Sequence, residues 1–408
     1  MIHFFTIVAR NYIGLAITLG DSVVAHHPDS AFTIVVADSL ESIDSSRCRF
    51  NLLDARKAFN GDFENVAFKY DVTEFCTALK PHIFLYLLEQ QKNETVVYLD
   101  PDTYLYAPLD PILSDLHKGA ICLTPHLLDY HSNVKNPYPD WKHLWEGIFN
   151  LGFCAVRRCD ESTKVMHWWS ERLLNYCFID REDGLHTDQK WCDYLPVLLG
   201  DNLIICRHPG VNVSHWNLAE REISFDRGKL LSNGEDLILF HFSGFDPAGK
   251  AVSLRNTKSD YSHLLSPAVC SIIEEHRLAV LDNGFYDFFN IPYKYGFYDN
   301  GVPVTKLHRR ILRGSATGLS EPFSASREFY RRLKDEGLID KSPEAKLNYR
   351  ATSISNLESK KFFLEMSFML ILRLVGVKNF CLMLKIFSIY QRPENHKHLV
   401  NRVLRGPS

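Results

Sequence analysis

Two acids separated by one residue close an apolar run, where Thr95-Val96-Val97-Tyr98-Leu99 leads directly into Asp100-Pro101-Asp102. The run reads as a buried parallel strand, which places the acids at the carboxyl rim where parallel sheets bind ligands. Carboxylates there can hold a hard divalent cation, Mn²⁺ or Mg²⁺, with the remaining coordination positions open to diphosphate oxygens. Such a cation would neutralise charge building on a departing nucleotide diphosphate. A capped Asp-Pro turn is the plainer reading of the same residues.

Other side chains of the right type stand at suggestive places. Tyr12 follows the first apolar run and could stack on a flat base; an aromatic there is otherwise core. Asp38 ends the run Phe32 to Ala37. Lys80 precedes the acidic pair and could meet a phosphate, although an isolated lysine is usually a solvated surface group. Phe149-Asn150-Leu151-Gly152-Phe153 puts an amide and then a glycine at a strand start, a place where sugar hydroxyls can approach the backbone. His186-Thr187-Asp188-Gln189-Lys190-Trp191 offers planar hydrogen-bonding groups beside an aromatic face, as carbohydrate sites require. Its plainer reading is a helix start with Asp188 as the cap. In Phe240-His241-Phe242-Ser243-Gly244 a histidine leaves an apolar run and could add a nitrogen ligand to the same metal; a satisfied core histidine is the alternative.

These residues need a scaffold, and the first half of the chain supplies alternating strand and helix signals, the mark of a βαβ layered domain. Strands are expected at Phe4 to Ala9, Phe32 to Ala37, Thr95 to Leu99, Ile121 to Thr124, Gly152 to Arg157, Leu203 to Cys206 and Leu237 to Phe242. Helices are expected at Ile13 to His26, Val72 to Gln90 with an interruption at Pro81, Ser162 to Tyr176, and Ser266 to Val280. Beyond about residue 260 strand signals fade into an aromatic stretch and a polar segment from Gly314 to Arg327. The expected division is 1–260, 261–313 and 314–408.

At 408 residues with a formal net charge of -3, the chain has no global field for drawing in nucleic acid. Ten cysteines show no zinc-like or disulfide-like rhythm, so small buried hydrophobes in a reducing compartment are expected. The apolar N-terminus lacks a basic region and a cleavage site, and Arg10 interrupts it, so it reads as a strand of a cytoplasmic protein.

Taken in order, these features resemble the GT-A glycosyltransferases, glycosyltransferase family 8 in particular. The features are a first strand followed by Tyr12, the helix ending at His26-His27-Pro28-Asp29, Asp100-x-Asp102, Asn150-x-Gly152, Asp188-Gln189 and His241-x-x-Gly244. Several stretches also resemble a bacterial group of glycosyltransferases found with surface-polysaccharide genes. The resemblance covers roughly residues 1 to 250. It implies a Rossmann-like nucleotide-diphospho-sugar domain with a mainly helical C-terminal extension. Asp100, Asp102 and His241 would hold Mn²⁺ or Mg²⁺ on the donor diphosphate, Tyr12 would face the base with Asp38 near it, and Lys80 would approach the phosphates or sugar. Asn150, Asp188 and Gln189 would read the donor sugar. The implied activity is retaining transfer of a hexose-type sugar, from a UDP-sugar, to a saccharide or lipid-linked acceptor. One departure stands out. The family's lysine shortly after the histidine-glycine pair is replaced by Phe245-Asp246-Pro247, and the first lysine is Lys250.

Two other functions compete. A sugar nucleotidyltransferase would open on a glycine-rich, basic loop, whereas Ala9-Arg10-Asn11-Tyr12-Ile13-Gly14 has one glycine. A non-catalytic scaffold of a polysaccharide assembly complex is disfavoured by the Asp100, Asp102 and His241 set. Near the end, Phe362 to Val375 and Phe380 to Tyr390 are strongly apolar and lie among basic residues. They read either as an in-plane helix on the inner face of an anionic membrane, with contact through 360–392, or as a helical hairpin packed on protein.

Overall fold

The structure is a computed structural model; it describes residues 1–41, 43–129, 137–249, 252–256, 260–313, 318–339 and 357–405. The chain forms two compact units, Met1–Gly61 with Val72–Tyr293, and Asp62–Asp71 with Lys294–Ser408. Where the sequence suggests divisions at 260 and 313, the contacts place one between Tyr293 and Lys294 and assign Asp62–Asp71 to the second unit.

The first unit is built on β1 (Ile2–Val8), α1 (Ile13–His26), β2 (Ala31–Val36), β3 (Asn51–Asp54), α2 (Val72–Glu89), β4 (Thr95–Leu99), β5 (Thr103–Leu105), β6 (Ile121–Pro125), β7 (Phe149–Arg157), α3 (Asp160–Tyr176), β8 (Leu203–Ile205), β9 (Leu239–His241) and α4 (Pro267–Asp282). Seven strands make one sheet in the order β8-β6-β7-β4-β1-β2-β3. Every neighbouring pair is parallel except those of β7, which runs antiparallel to both β4 and β6. Helices α1 and α2 pack on this sheet, α3 packs on α2, and α4 packs on α1. The α/β layering expected from the alternation of signals is the architecture found.

Local chemistry explains where the elements differ from expectation. Helix α2 continues through Pro81, although proline removes one backbone donor and tends to kink a helix there. Strand β7 begins at Phe149, before the expected start at Gly152, because the polar side chain of Asn150 is fully engaged inside the protein and need not end the strand. Strand β3 went unforeseen, since Leu52 and Leu53 are its only apolar residues. Opposite Asn150 the β6–β7 register shifts between Leu123 and Thr124, which breaks the ladder beside the acidic pair.

The core of this unit joins Phe4, Val8, Ile17, Ile34, Val97, Leu99 and Phe153 across strands and helix. In the second unit, Arg309 is buried and donates to the carbonyls of Ala67, Phe68, Tyr70 and Tyr295. It thereby satisfies acceptors left at the end of the helix Phe63–Lys69. Around it Phe68, Ile311, Phe329 and Leu333 form a separate core.

Candidate active site

Strand β4 is buried along its length and delivers Asp100 and Asp102 at its carboxyl end. The turn is held by Asp100 N–H donating to Gly152 O at 2.9 Å and Thr103 Oγ1 donating to Asp100 O at 2.8 Å. Short β5 then pairs antiparallel with β9, which sets His241 opposite Thr103. Phe242 N–H donates to Asp102 O at 2.7 Å and closes the junction. Two segments 140 positions apart are thus bonded at one point, and the ligand atoms of Asp100, Asp102 and His241 lie within 4.8 Å of one another. His241 Nε2 stands 3.2 Å from Asp102 Oδ1 and 3.7 Å from Asp100 Oδ2.

The histidine is aimed by a network whose hydrogens are fixed by its last members. Gly152 N–H donates to Asn150 Oδ1 at 2.9 Å, so that atom is the amide oxygen. Asn212 Nδ2 donates to the same oxygen at 3.0 Å and to Thr124 Oγ1 at 2.8 Å. Asn212 Oδ1 therefore faces His241 Nδ1 at 3.0 Å and must accept from it. Nδ1 carries a hydrogen, and Nε2 faces the two carboxylates as the nitrogen that would present its lone pair to a cation held between them. Metal-ligating histidines are oriented in this manner. Asn212 adopts φ 56°, a left-handed conformation that asparagine tolerates better than most residues. Gly152 completes the cradle, since a Cβ there would lie 2.5 Å from His241 Nδ1. Two carboxylates and one imidazole nitrogen form a ligand set that could hold a divalent cation. Burial pushes the Asp102 carboxyl up, but His241 and then Arg255 outweigh it and hold the group well below the usual carboxylate range.

Lys80 lies beneath this cluster, 2% exposed, and not on the surface where an isolated lysine usually sits. Its Nζ is 2.8 Å from Asp188 Oδ2 and 3.8 Å from Asp100 Oδ1, donates to Leu151 O at 3.0 Å, and sits 4.2 Å from the Tyr98 ring centroid. Burial opposes its charge, yet Asp188 and Asp100 keep the ammonium above its ordinary range. Tyr98 donates from its hydroxyl to Asp100 Oδ1 at 2.5 Å. Burial and then Asp100 push that phenol well up, so it stays a donor.

Asp188 precedes a short 3-10 helix, Gln189–Tyr194, but its side chain makes no cap bond. Its carboxylate turns inward to Lys80 and to Thr187 Oγ1, which donates at 3.0 Å. Gln189 Nε2 donates to Glu146 O at 2.7 Å. Asp188, Lys80, Asp100, His241 and Asp102 are therefore linked through direct contacts, and Asn150 joins them through Asn212. Asp38 is held at the turn that carries Tyr12: its oxygens accept from the Arg10 backbone N–H at 3.0 Å and from Arg10 Nε at 3.2 Å. Tyr12 is 40% exposed; partial burial and then the Asp102 charge raise its phenol. Gly244 adopts φ 74°, and a Cβ there would lie 2.7 Å from Ser253 Oγ and 2.9 Å from Arg255 Cγ. Lys250 lies outside the described residues.

Four participants escaped the sequence reading: Asn212, Tyr98, Arg255 and the aromatic wall next to His241. Trp216 meets the His241 ring edge to face at 5.0 Å, and His126 stacks on His143 at 4.3 Å. Burial pushes His143 down to about 4 and His215 to about 3. These rings are buried and, apart from the His126–His143 stack, meet edge to face, so they form a neutral backing to His241 inside the protein. Only the density of histidine and tryptophan between His208 and Trp216 hinted at it.

No family model matches the chain. It is 33% identical over 178 residues to the uncharacterized protein YfnF of Bacillus subtilis (strain 168), covering 43% of this chain and 58% of YfnF. With YfnD of the same organism it shares 22% identity over 258 residues, 60% of this chain and 78% of YfnD. The chain thus spans well under two thirds of YfnF. Among solved structures it is similar to the apo form of the glycosyltransferase GlyE of Streptococcus pneumoniae TIGR4, with TM-score 0.40 and 13% identity, covering 72% of this chain and 66% of that one. It is also similar to the galactosyltransferase LgtC with donor and acceptor sugar analogues, with TM-score 0.39 and 14% identity, covering 72% and 99%. At such scores the chemistry of the site has to be argued from its own geometry.

Proposed function

We propose that this chain is a GT-A glycosyltransferase that moves a hexose-type sugar from a nucleotide diphosphate, a UDP-sugar, to a saccharide or lipid-linked acceptor in surface-polysaccharide synthesis. The observation that carries the reading is the convergence of Asp100, Asp102 and His241 Nε2 at the carboxyl rim of the sheet, with the buried ammonium of Lys80 beneath. A Mn²⁺ or Mg²⁺ held by those three side chains supplies charge stabilisation for the departing diphosphate. Lys80 holds Asp100 and Asp188 in place and adds positive charge below the donor. Arg255, beside Gly244, takes the diphosphate contact that the resemblance assigns to a lysine, and Tyr12 faces the base.

Asn150, Asp188 and Gln189 border the place left for the donor sugar. A retaining, front-face transfer is the course we favour. The acceptor oxygen bonds to the anomeric carbon as the bond from that carbon to the phosphate oxygen breaks, and the acceptor's proton passes to the leaving diphosphate. Asp188 serves to position groups in this scheme, because Lys80 and Thr187 already occupy its carboxylate. Titration calorimetry with UDP tests the reading. Binding that needs Mn²⁺ and disappears in Asp102→Asn supports it. UDP binding indifferent to both would remove its basis.

A further inference from the structure

The C-terminal helix, Leu357–Tyr390, exposes more apolar side chain than any other described element. The most apolar 18-residue window within Lys360–Tyr390 has mean hydropathy 1.7 and none of it is buried. Phe363, Leu374 and Val377 are 70%, 76% and 69% exposed. A contiguous apolar surface of this size marks a place that meets another apolar phase.

By length the stretch could cross a bilayer, but its shape opposes that. Gly376, at φ 76° and ψ 160°, interrupts the helix. The rings of Phe368 and Phe380 stand 5.9 Å apart, whereas residues twelve positions apart on a straight helix are separated by about 18 Å. The element is therefore two helices bent sharply at Gly376. Residues 357–375 extend about 28 Å and 377–390 about 21 Å, neither clearing the ~30 Å hydrocarbon core.

The charges decide the arrangement. Lys360 and Lys361 stand at the open end of the first limb, Arg373 and Lys378 flank the bend, and Lys385 lies near the end of the second. Between them is one acid, Glu365, 3.9 Å from Lys361. Inserting the bend tip-first would carry Arg373 and Lys378 into hydrocarbon at high cost. Lying flat lets the long side chains of all five basic groups reach the headgroups while the apolar sides enter the acyl boundary.

We propose that this bent helix lies in the plane of an anionic lipid bilayer and holds the protein on its surface. The partner is the negatively charged membrane itself. Membrane contact does not rest on the sugar chemistry, so the two readings can fail separately.

The test floats the purified full-length protein with vesicles of phosphatidylcholine alone and of phosphatidylcholine mixed with phosphatidylglycerol. Flotation is expected with the anionic vesicles and reduced by high salt. Lys378→Gln/Lys385→Gln should weaken binding about 30-fold, roughly fivefold per basic residue. Leu370→Glu/Leu374→Glu should abolish it. Equal recovery of all variants on both vesicle types would overturn the proposal. So would light scattering that shows a stable dimer broken by Leu370→Glu/Leu374→Glu with no flotation, since a second copy would then cover the helix. A nitroxide at Val377→Cys, in a Cys270→Ser/Cys381→Ser background, should report a shallow depth. Placement at the bilayer centre would contradict the in-plane geometry.

Discussion

Replacing Asn212 with alanine removes the acceptor for His241 Nδ1–H and the donor that ties Asn150 Oδ1 to the site. Freed of that bond, the imidazole can turn or present its other nitrogen, and Nε2 is no longer held toward Asp100 and Asp102. Loss of such an outer hydrogen bond typically weakens metal binding 10–100-fold, about 1.4–2.7 kcal/mol. Stability falls as well. An orphaned buried N–H costs about 1–3 kcal/mol, and alanine at φ 56° adds about 1–2 kcal/mol. Two further variants separate these effects. Asn212→Gly relieves the backbone cost but still lacks the acceptor, so its metal affinity should match that of Asn212→Ala. Asn212→Asp keeps an acceptor for Nδ1 and should retain most of the affinity. Free Mn²⁺ is followed by electron paramagnetic resonance, and stability by urea unfolding without metal. Wild-type Mn²⁺ affinity in Asn212→Ala would refute the orienting role, and so would an equal loss in Asn212→Asp.

Three other outcomes are expected. Lys80→Met leaves Asp188 buried without its ammonium partner and should cost about 3–5 kcal/mol in urea unfolding, much of it regained in Lys80→Met/Asp188→Leu. Gly152→Ala drives a methyl against the His241 ring and should lower stability by about 1–3 kcal/mol and weaken Mn²⁺ binding, both read in the same assays. The imidazole of His276 is pushed down to about 3 by burial, and stacks on Phe242 at 3.8 Å. The unfolded chain binds a proton there near pH 6.5 and the folded chain does not. The contribution of this group to stability is therefore complete above pH 6.5 and is lost as pH falls toward 3, at about 1.4 kcal/mol per pH unit. His276→Phe should flatten the acid limb of the stability profile by that slope; an unchanged limb would show that His276 is not the group titrating.

Legibility in the sequence followed locality. Thr95–Leu99 matched its expected strand because a run whose four residues Val96 to Leu99 are buried on both faces needs no partner to be recognised. Asp100 and Asp102 were legible because the turn that holds them directly follows that strand. Lys80 was harder, since nothing near it in the chain announces that Asp188, 108 positions away, would accompany it into the interior. Asn212 was invisible for the same reason, because its importance depends on β5 pairing with β9 and on a register shift in β6 and β7. The cap reading of Asp188 was half right: the residue does precede a short helix, while its carboxylate serves Lys80. The two apolar runs near the C-terminus were recognised as helical, with a hairpin as one reading, but placing the bend at Gly376 needed the backbone.

The most direct measurement is release of nucleotide diphosphate from a panel of UDP-, GDP- and dTDP-sugars with Mn²⁺ or Mg²⁺, run on the full chain and on Asp102→Asn. The account predicts turnover of one donor, the UDP-sugar, abolished by EDTA and by the substitution, while Asp102→Asn remains folded by circular dichroism. Undiminished turnover in Asp102→Asn, or silence across the whole panel together with no nucleotide binding, would contradict sugar transfer at the Asp100, Asp102 and His241 cluster.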